Sequence, residues 1–468
     1  MSLRLSFYDG AGKATGSNFL VSAEGGGKIL VDCGIEQGAD FNGSDPSEPF
    51  PYDVKAIDAL VLTHAHLDHS GRIPKLVRDG FHGKIYMTPP TRNLAELILR
   101  DSVHILAEEA ARIGVAPLYE EHNVDEMFSL VETLEYYIER EIVPGLSVYL
   151  RNTGHILGSA SVRIKDKEGN AVALTGDIGN SPSPLLPDWE PVTDADVLVM
   201  ESTYGNRAHP AQQRRTEVLA EVLKRAIARG GSILIPAFSL ERTQLMLYEL
   251  SNFFEAGKLP KVPVFLDSPL AIKVTTVYEK WGATYFKPET EDEMKREGSI
   301  FEFPFLKKTL SREDSIEIEK VPNPKIIIAG AGMSHGGRIG RWEERYLPDP
   351  STTLVIVGYQ APGSPGRRMS EGSSSVLLGS KEVKIRAKVE ILDGWSAHAD
   401  RDELLKFAQA SLPHTKTIFT VMGEPSAERF LAQRIHDYLG VRAIVPEFGQ
   451  TWDISKDSIK HVPDTAHT

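Results

Sequence analysis

Residues 60–71 read LVLTHAHLDHSG, three histidines and an aspartate packed directly behind an apolar run. The segment AIDALVLT that leads into them is almost continuously apolar, which predicts a buried strand, so His64, His66, Asp68 and His69 fall on the loop that leaves its end. Loops of this kind, aimed by a rigid strand, are where sheets hold ligands. His64 and His66 alternate in one direction and can grip one ion through neutral imidazole, while Asp68 and His69 sit past the bend and can grip a second. One loop cannot close two coordination shells. Two further candidates lie on other turns: His155 in NTGHILGSA, after the strand-like LSVYLR, and Asp177 in VALTGDIGN, between glycines at the end of an apolar run, where a carboxylate can bridge two ions. Singly, each has an ordinary structural explanation. Beside the His-rich loop they read as ligands.

Composition limits what the rest can be. A chain of 468 residues, 41% apolar and 25% charged, is ordinary for globular protein and long enough for two or more domains. Its one cysteine, Cys33, excludes an internal disulfide framework and a thiolate-rich zinc site, and reads as a small buried hydrophobe. The net charge of −13 argues against indiscriminate adhesion to nucleic acid or anionic membrane, though a local basic cleft can coexist with an acidic exterior. MSLRLSFYDGAGKATGSNFLV shows no basic start followed by an apolar leader, and nowhere do about 18 uncharged apolar residues run together. The expectation is a cytoplasmic protein with no membrane partner.

The first two hundred residues alternate short strands, Gly/Asp turns and helical stretches such as TRNLAELILRDSVHILAEEAARIG. From AQQRRTEVLAEVLKRAIARGG the rhythm changes to helix, strand SILIPAF, helix LERTQLMLYELSNFF, strand VPVFLD, and later strands KIIIAG and TTLVIVGY, which predicts a parallel sheet. KPETEDEMKREGS reads as a solvated connection. After the Gly/Pro/Ser-rich GYQAPGSPGRR the chain returns to short β runs, EVKIRAKVEIL, and two helix–strand units, and KDSIKHVPDTAHT reads as a polar tail. There is no internal repeat and no low-complexity block.

THAHLDHSG, GHILGSA and LTGDIGN, with Asp32 of ILVDCG, resemble the metallo-β-lactamase fold. The segments LVMESTYGNRAH, IPAFSLERTQ, LDSPLA, GYQAPGSPGR and GWSAHAD are similar to its β-CASP branch, nucleases of RNA or DNA that include the pre-mRNA 3′-end processing endonuclease and its prokaryotic relatives. The resemblance covers nearly the whole chain. It implies an α/β fold: an αββα sandwich from residues 1–205 and 389–468, with a parallel-sheet β-CASP domain inserted at 206–388. It further implies two zinc ions, one on His64, His66 and His155, the other on Asp68 and His69, with Asp177 shared and Asp32 orienting the ligands. The implied activity is hydrolysis of phosphodiester bonds in single-stranded RNA, in processing or decay, with the zinc centre supplying the nucleophile. His398 of SAHAD would give the leaving oxygen its proton, and Glu201 of ESTYG would hold that histidine protonated. The implied catalytic set is thus Asp32, Asp68, Glu201 and His398.

Two stretches need separate reading. IIIAGAGMSHGGRIG misses the dinucleotide fingerprint, because after Gly330 and Gly332 the third glycine falls at 336, one place late. Backbone N–H groups across Ser334, Gly336 and Gly337 could instead form an anion nest opening the helix RIGRWEERYL, with Arg338 adding charge toward a phosphate; a purely structural turn is the competing reading. Arg367 and Arg368 face either a substrate cleft or solvent. TIFTVMGEPSA departs from the RNA-cleaving pattern: Met422 stands where those members carry a histidine before Gly-Glu, and a thioether is a poor zinc ligand, so the second ion would be held loosely. DNA-cleaving members are also apolar here. The alternatives are therefore a DNA nuclease of the same branch, a catalytically silent RNA-binding scaffold, or a hydrolase of thioesters or lactams. The complete His-rich loop argues against the scaffold, and the domain inserted between Glu201 and His398 against the small-molecule hydrolase. A homo-oligomer is compatible with the sequence.

Overall fold

The computed structural model describes residues 2–36, 48–361, 363–412 and 414–463. The chain divides into two units, one containing the stretches that end at Ala208 and begin again at His398, the other His209–Ala397.

The first unit is built on two sheets. One has eight strands in the order Ser458–Val462, Thr451–Ser455, Leu3–Asp9, Asn18–Ala23, Lys28–Val31, Ala59–Val61, Lys84–Met87, Val131–Thr133. It is antiparallel as far as Lys28–Val31 and parallel beyond. The other has seven, in the order Arg442–Ile444, Thr417–Val421, Val197–Glu201, Ala171–Leu174, Ala160–Asp166, Leu146–Asn152, Arg140–Val143, parallel across its first four and antiparallel after them.

Period-two alternation assigns each strand's side chains to one of two cores. Val172, Leu174, Val197 and Val199 pack with Leu5, Phe7, Val21, Ile29 and Val61 between the sheets. Their neighbours Ala171, Ala173, Leu198 and Met200 turn outward onto Leu404 and Phe407 of helix Arg401–Ala410 and Leu431 and Ile435 of helix Pro425–Leu439. Helix Pro89–Ile113 contacts the strand Val131–Thr133 of the eight-stranded sheet. This is the αββα sandwich.

The second unit carries an all-parallel sheet, ordered Leu306–Lys308, Val264–Leu266, Lys325–Ala329, Ser232–Pro236, Thr353–Val357, Lys388–Leu392, plus an antiparallel hairpin Ser375–Leu378 with Lys381–Lys384. The central strands are buried throughout, as parallel strands covered on both faces must be.

Two sequence expectations are corrected. The charged stretch read as a solvated connection contains helix Pro288–Glu297, with proline in its first turn, Glu289 and Glu291 at its positive end, Lys295 and Arg296 at its negative end, and Thr290 and Met294 buried. The polar tail contains the edge strand Ser458–Val462, paired with Thr451–Ser455; its last five residues, 464–468, lie outside the described residues. Among the described residues, no helix is long and apolar enough to cross a membrane.

Candidate metal centre

Strand ends of both sheets converge here. The strand Ala59–Val61 delivers Thr63 and His64, and a one-turn helix, Leu67–Ser70, presents Asp68 and His69. That loop is held by its backbone: Ser17 donates N–H to the Asp68 carbonyl at 2.8 Å, and Cys33 to the His69 carbonyl at 2.8 Å. The strand Leu146–Asn152 leads to His155, whose turn is fixed by Ser159 Oγ accepting from the His155 and Ile156 amides at 3.1 and 3.3 Å. Ala171–Leu174 leads to Asp177 through Gly176, at φ +56°, where a Cβ would stand 2.8 Å from Thr63 Cβ; only glycine fits that approach.

The resulting geometry is a tetrad of three buried residues, His64, His155 and Asp177, with half-buried His66. His64 Nε2 lies 3.1 Å from His66 Nδ1 and 3.3 Å from Asp177 Oδ2, and His155 Nε2 lies 3.2 Å from His66 Nδ1 and 3.3 Å from Asp177 Oδ2. All four ligand atoms fall within 4.8 Å of one another. A zinc ion bound at about 2.0–2.1 Å in a tetrahedron requires ligand atoms separated by about 3.3–3.4 Å, so the cage has the right size. Burial holds His66 and His155 well below the usual imidazole range, leaving them in the neutral form that binds metal, with the neighbouring His64 adding to the effect at His66.

Beside the tetrad, His69 Nε2 faces Asp177 Oδ1 at 3.2 Å, and both atoms are buried without a hydrogen-bond partner. Two orphaned polar atoms aimed at each other across a buried space fit a cation between them. Burial opposes charge on His69, but the carboxylates of Asp177 and Asp32 outweigh it and raise its pKa well above the usual value. Asp68 Oδ2 stands farther off, 3.9 Å from His69 Nε2.

Asp32, in left-handed backbone at φ +60°, is the anchor of this half. Its Oδ2 accepts from His69 Nδ1 at 2.7 Å, Thr63 Oγ1 at 2.9 Å and Ser17 Oγ at 3.0 Å, and its Oδ1 from the Thr63 amide at 2.8 Å. Met422 follows the strand Thr417–Val421 at φ +53°, buried, its amide donating to the Gly10 carbonyl at 2.7 Å. Its sulfur sits so close to Gly10 that a Cβ there would meet Sδ at 2.6 Å. A small cavity is lined by Met422 and His69 together with Ser17, Asp32, Thr175 and Gly176 and the apolar Phe19, Val31, Leu174, Val199 and Val421.

His398 comes to the same place. It forms an isolated bridge with Gly179, and Ala399 donates to the Ile178 carbonyl at 2.7 Å. His398 Nδ1 lies 3.2 and 3.3 Å from the two oxygens of buried Glu201 and 3.8 Å from Asp177 Oδ2. Burial disfavours its charge, but Glu201 and Asp177 outweigh that and push it up to about 9. Asp177, Glu201 and His398 are also close enough to hold a metal, yet Glu201 already accepts from the Ile178 and Thr203 amides at 2.7 and 3.2 Å, the pattern of a carboxylate fixed to orient a histidine.

The glycine-rich stretch lies in the other unit. Ser334 Oγ points inward to Glu343 at 2.5 Å, and Arg338 is bound to Asp267 Oδ1 at 2.6 Å and to the carbonyls of Thr309 and Leu310 at 3.1 and 2.8 Å. Gly336 and Gly337, both at positive φ, open helix Gly337–Tyr346. Sequence reading did not single out Ser17 or Thr63. The available signal was a small hydroxyl residue next to a ligand or at a strand end, a weak one.

Comparison with known proteins agrees with this architecture. Residues 12–237 match the metallo-beta-lactamase superfamily, 243–369 the Beta-Casp domain, and 382–446 the Zn-dependent metallo-hydrolase RNA specificity domain. The chain is 36% identical over 407 residues to ribonuclease TTHA0252 of Thermus thermophilus, covering 87% of this chain and 91% of that protein. It is 33% identical over 455 residues to the transcription termination factor FttA of Methanosarcina mazei (94% and 70% covered) and 32% identical over 428 residues to an RNase J-like protein of Methanocaldococcus jannaschii (90% and 93%). A crystal structure of an Enterococcus faecalis protein of unknown function shares the fold at TM-score 0.57 and 14% identity, over 96% of this chain and 99% of that one. The chain belongs to the β-CASP branch of the metallo-β-lactamase superfamily, the metallo-hydrolases that carry an RNA specificity domain.

Proposed function

We propose that this protein is a zinc-dependent ribonuclease that hydrolyses phosphodiester bonds of single-stranded RNA. The observation that carries the reading is the tetrad of His64, His66, His155 and Asp177 with the His398–Glu201 pair beside it. The RNA specificity domain at 382–446 and the ribonuclease relative support RNA as the substrate. The tetrad would hold one zinc tightly; Asp68, His69 and the second oxygen of Asp177 would hold another more loosely, because Met422 directs its sulfur to Gly10 and adds no imidazole. Zinc bound there supplies Lewis acidity at the scissile phosphate and a nucleophile at neutral pH.

The chain's own residues do the remainder. Asp32 fixes His69, and Glu201 fixes and charges His398, whose Nδ1 faces that carboxylate so that Nε2–H is left to protonate the leaving oxygen. With Ser334 and Arg338 committed to Glu343 and Asp267, any phosphate contact at the glycine-rich turn would come from the backbone amides of Gly336 and Gly337. The acidic chain is expected to bind through a local basic surface that reads backbone and 2′-OH, and to work in the cytoplasm.

Met422 favours one competing reading, a DNA nuclease. The test is zinc content together with cleavage of matched labelled RNA and DNA oligonucleotides, single- and double-stranded, near physiological salt with added zinc. Single-stranded RNA should be cut fastest. DNA cut as fast or faster rejects the RNA reading, and zinc binding without cleavage of any strand leaves a scaffold.

A further inference from the structure

The hydroxyl of Thr63 touches both halves of the centre, and its single proton restricts what it can do there. Thr63 Oγ1 lies 2.9 Å from Asp32 Oδ2, 3.1 Å from His64 Nδ1 and 3.4 Å from His69 Nδ1, all buried. A carboxylate only accepts, so the hydroxyl proton goes to Asp32. Toward His64 the same oxygen can then act only as an acceptor, which requires the proton of neutral His64 on Nδ1. That tautomer leaves a lone pair on His64 Nε2, the atom 3.3 Å from Asp177 Oδ2 in the tetrad.

Asp32 makes the parallel demand on His69. It accepts from Nδ1 at 2.7 Å and so leaves Nε2 to face Asp177 Oδ1. One carboxylate thus sets the ligand nitrogen of both histidines, directly for His69 and through the threonine hydroxyl for His64. Gly176 packs against this side chain, where an added Cβ would stand 2.9 Å from Thr63 Oγ1 and 3.1 Å from Cγ2, and the Thr63 amide is itself tied to Asp32 Oδ1 at 2.8 Å.

We infer that Thr63 is a positioning residue, a hydroxyl relay from Asp32 that holds His64 in its metal-binding tautomer and couples the two half-sites. The inference rests on the zinc reading above. It predicts that Thr63→Val, which keeps shape and removes the relay, weakens zinc at the tetrad by about 10–100-fold, the range typical of supporting partners of metal-bound histidine. Thr63→Ser should restore it.

The experiment is competition for zinc against a chromophoric chelator, run on the full chain as wild type, Thr63→Val and Thr63→Ser, with metal-free melting temperature as the check on folding. Equal zinc affinity in wild type and Thr63→Val overturns the relay, as does a loss that Thr63→Ser shares. A wild type that binds no zinc overturns the zinc reading instead. A measurement on the unmutated, metal-free protein covers the case in which the valine variant does not fold. Long-range 1H–15N spectra of the imidazoles at a pH where His64 is neutral should show it protonated at Nδ1, and protonation at Nε2 alone would refute the inference.

Discussion

The two halves of the candidate metal centre share Asp177 and differ in nearly everything else. The first is closed: His64, His66, His155 and one Asp177 oxygen meet at tetrahedral spacings, each delivered from the end of a strand whose side chains are locked in a core. The second is open. It has His69 at 3.2 Å from the other Asp177 oxygen, Asp68 at 3.9 Å from His69, and a small, mostly apolar cavity lined by His69 and Met422. Left-handed backbone at non-glycine residues also falls on this side, at Asp32 and Met422. The difference shows that the fold brings a closed set of ligand atoms together on one side of Asp177 and an incomplete one on the other.

The largest effect should come from the residue that both halves share. Asp177→Asn removes the one carboxylate charge that both halves share and leaves an amide that binds zinc poorly, so both ions should be lost and RNA cleavage should fall to background. Zinc analysis after dialysis checks it. Retention of one tightly bound ion in Asp177→Asn would mean that the three histidines suffice and that the halves are more independent than their geometry suggests.

Removing the acid should leave both halves intact and slow only the chemistry. His398→Ala is expected to lower cleavage by about 100-fold or more with zinc content nearly unchanged. Because burial opposes its charge and Glu201 is the foremost group that raises His398 to about 9, the alkaline limb of kcat/KM should follow loss of the imidazolium proton as pH rises. Glu201→Gln should move that limb to lower pH and cost less than His398→Ala. An unchanged limb in Glu201→Gln would assign the proton to another group.

Much of the closed half is legible in the sequence, because His64, His66, His155 and Asp177 are chemistry-bearing residues placed directly after apolar strands, where alternation leaves no core role for them. The supports are not. Ser17 and Thr63 are common hydroxyl residues, and only the three-dimensional meeting of separate strand ends shows that both donate to Asp32. Side-chain direction in a glycine-rich turn is equally invisible, and the inward commitment of Ser334 and Arg338 follows from burial of Glu343 and Asp267, which sequence does not display. The helix Pro288–Glu297 is hidden differently: its charges suggest solvent, and its proline start and charge polarity are the better guide.

The open half can be tested by closing it. Met422→His places an imidazole beside the cavity that His69 and Asp32 line, and should tighten the second ion by at least the about 10-fold that a supporting partner alone contributes. Dialysis against chelator should then remove the two ions together rather than in sequence. If the second ion leaves as readily as before, the weakness lies in the distant Asp68 and not in the thioether.

The smallest effect concerns the loop that carries Met422. Glu428 is buried beneath it, one oxygen accepting from the Gly12 amide at 3.0 Å and the other without a partner. Burial pushes this carboxyl up to about 8 from its ordinary 4.5, with the Gly12 and Gly423 amides opposing the rise. The sign of the linkage follows. Below about pH 4.5 the group is protonated whether folded or unfolded and costs nothing; as pH rises toward 8 the unfolded chain ionises first, and stability is lost across that window. Glu428→Gln keeps an acceptor for Gly12 and removes the ionisation, so its melting temperature relative to wild type should rise progressively between pH 5 and pH 8, by about 2–4 °C for each kcal/mol of stability that the wild type loses. A constant offset between the two proteins across that range would show that Glu428 is ionised in the fold, and that the loop beside the open half-site rests on a charge.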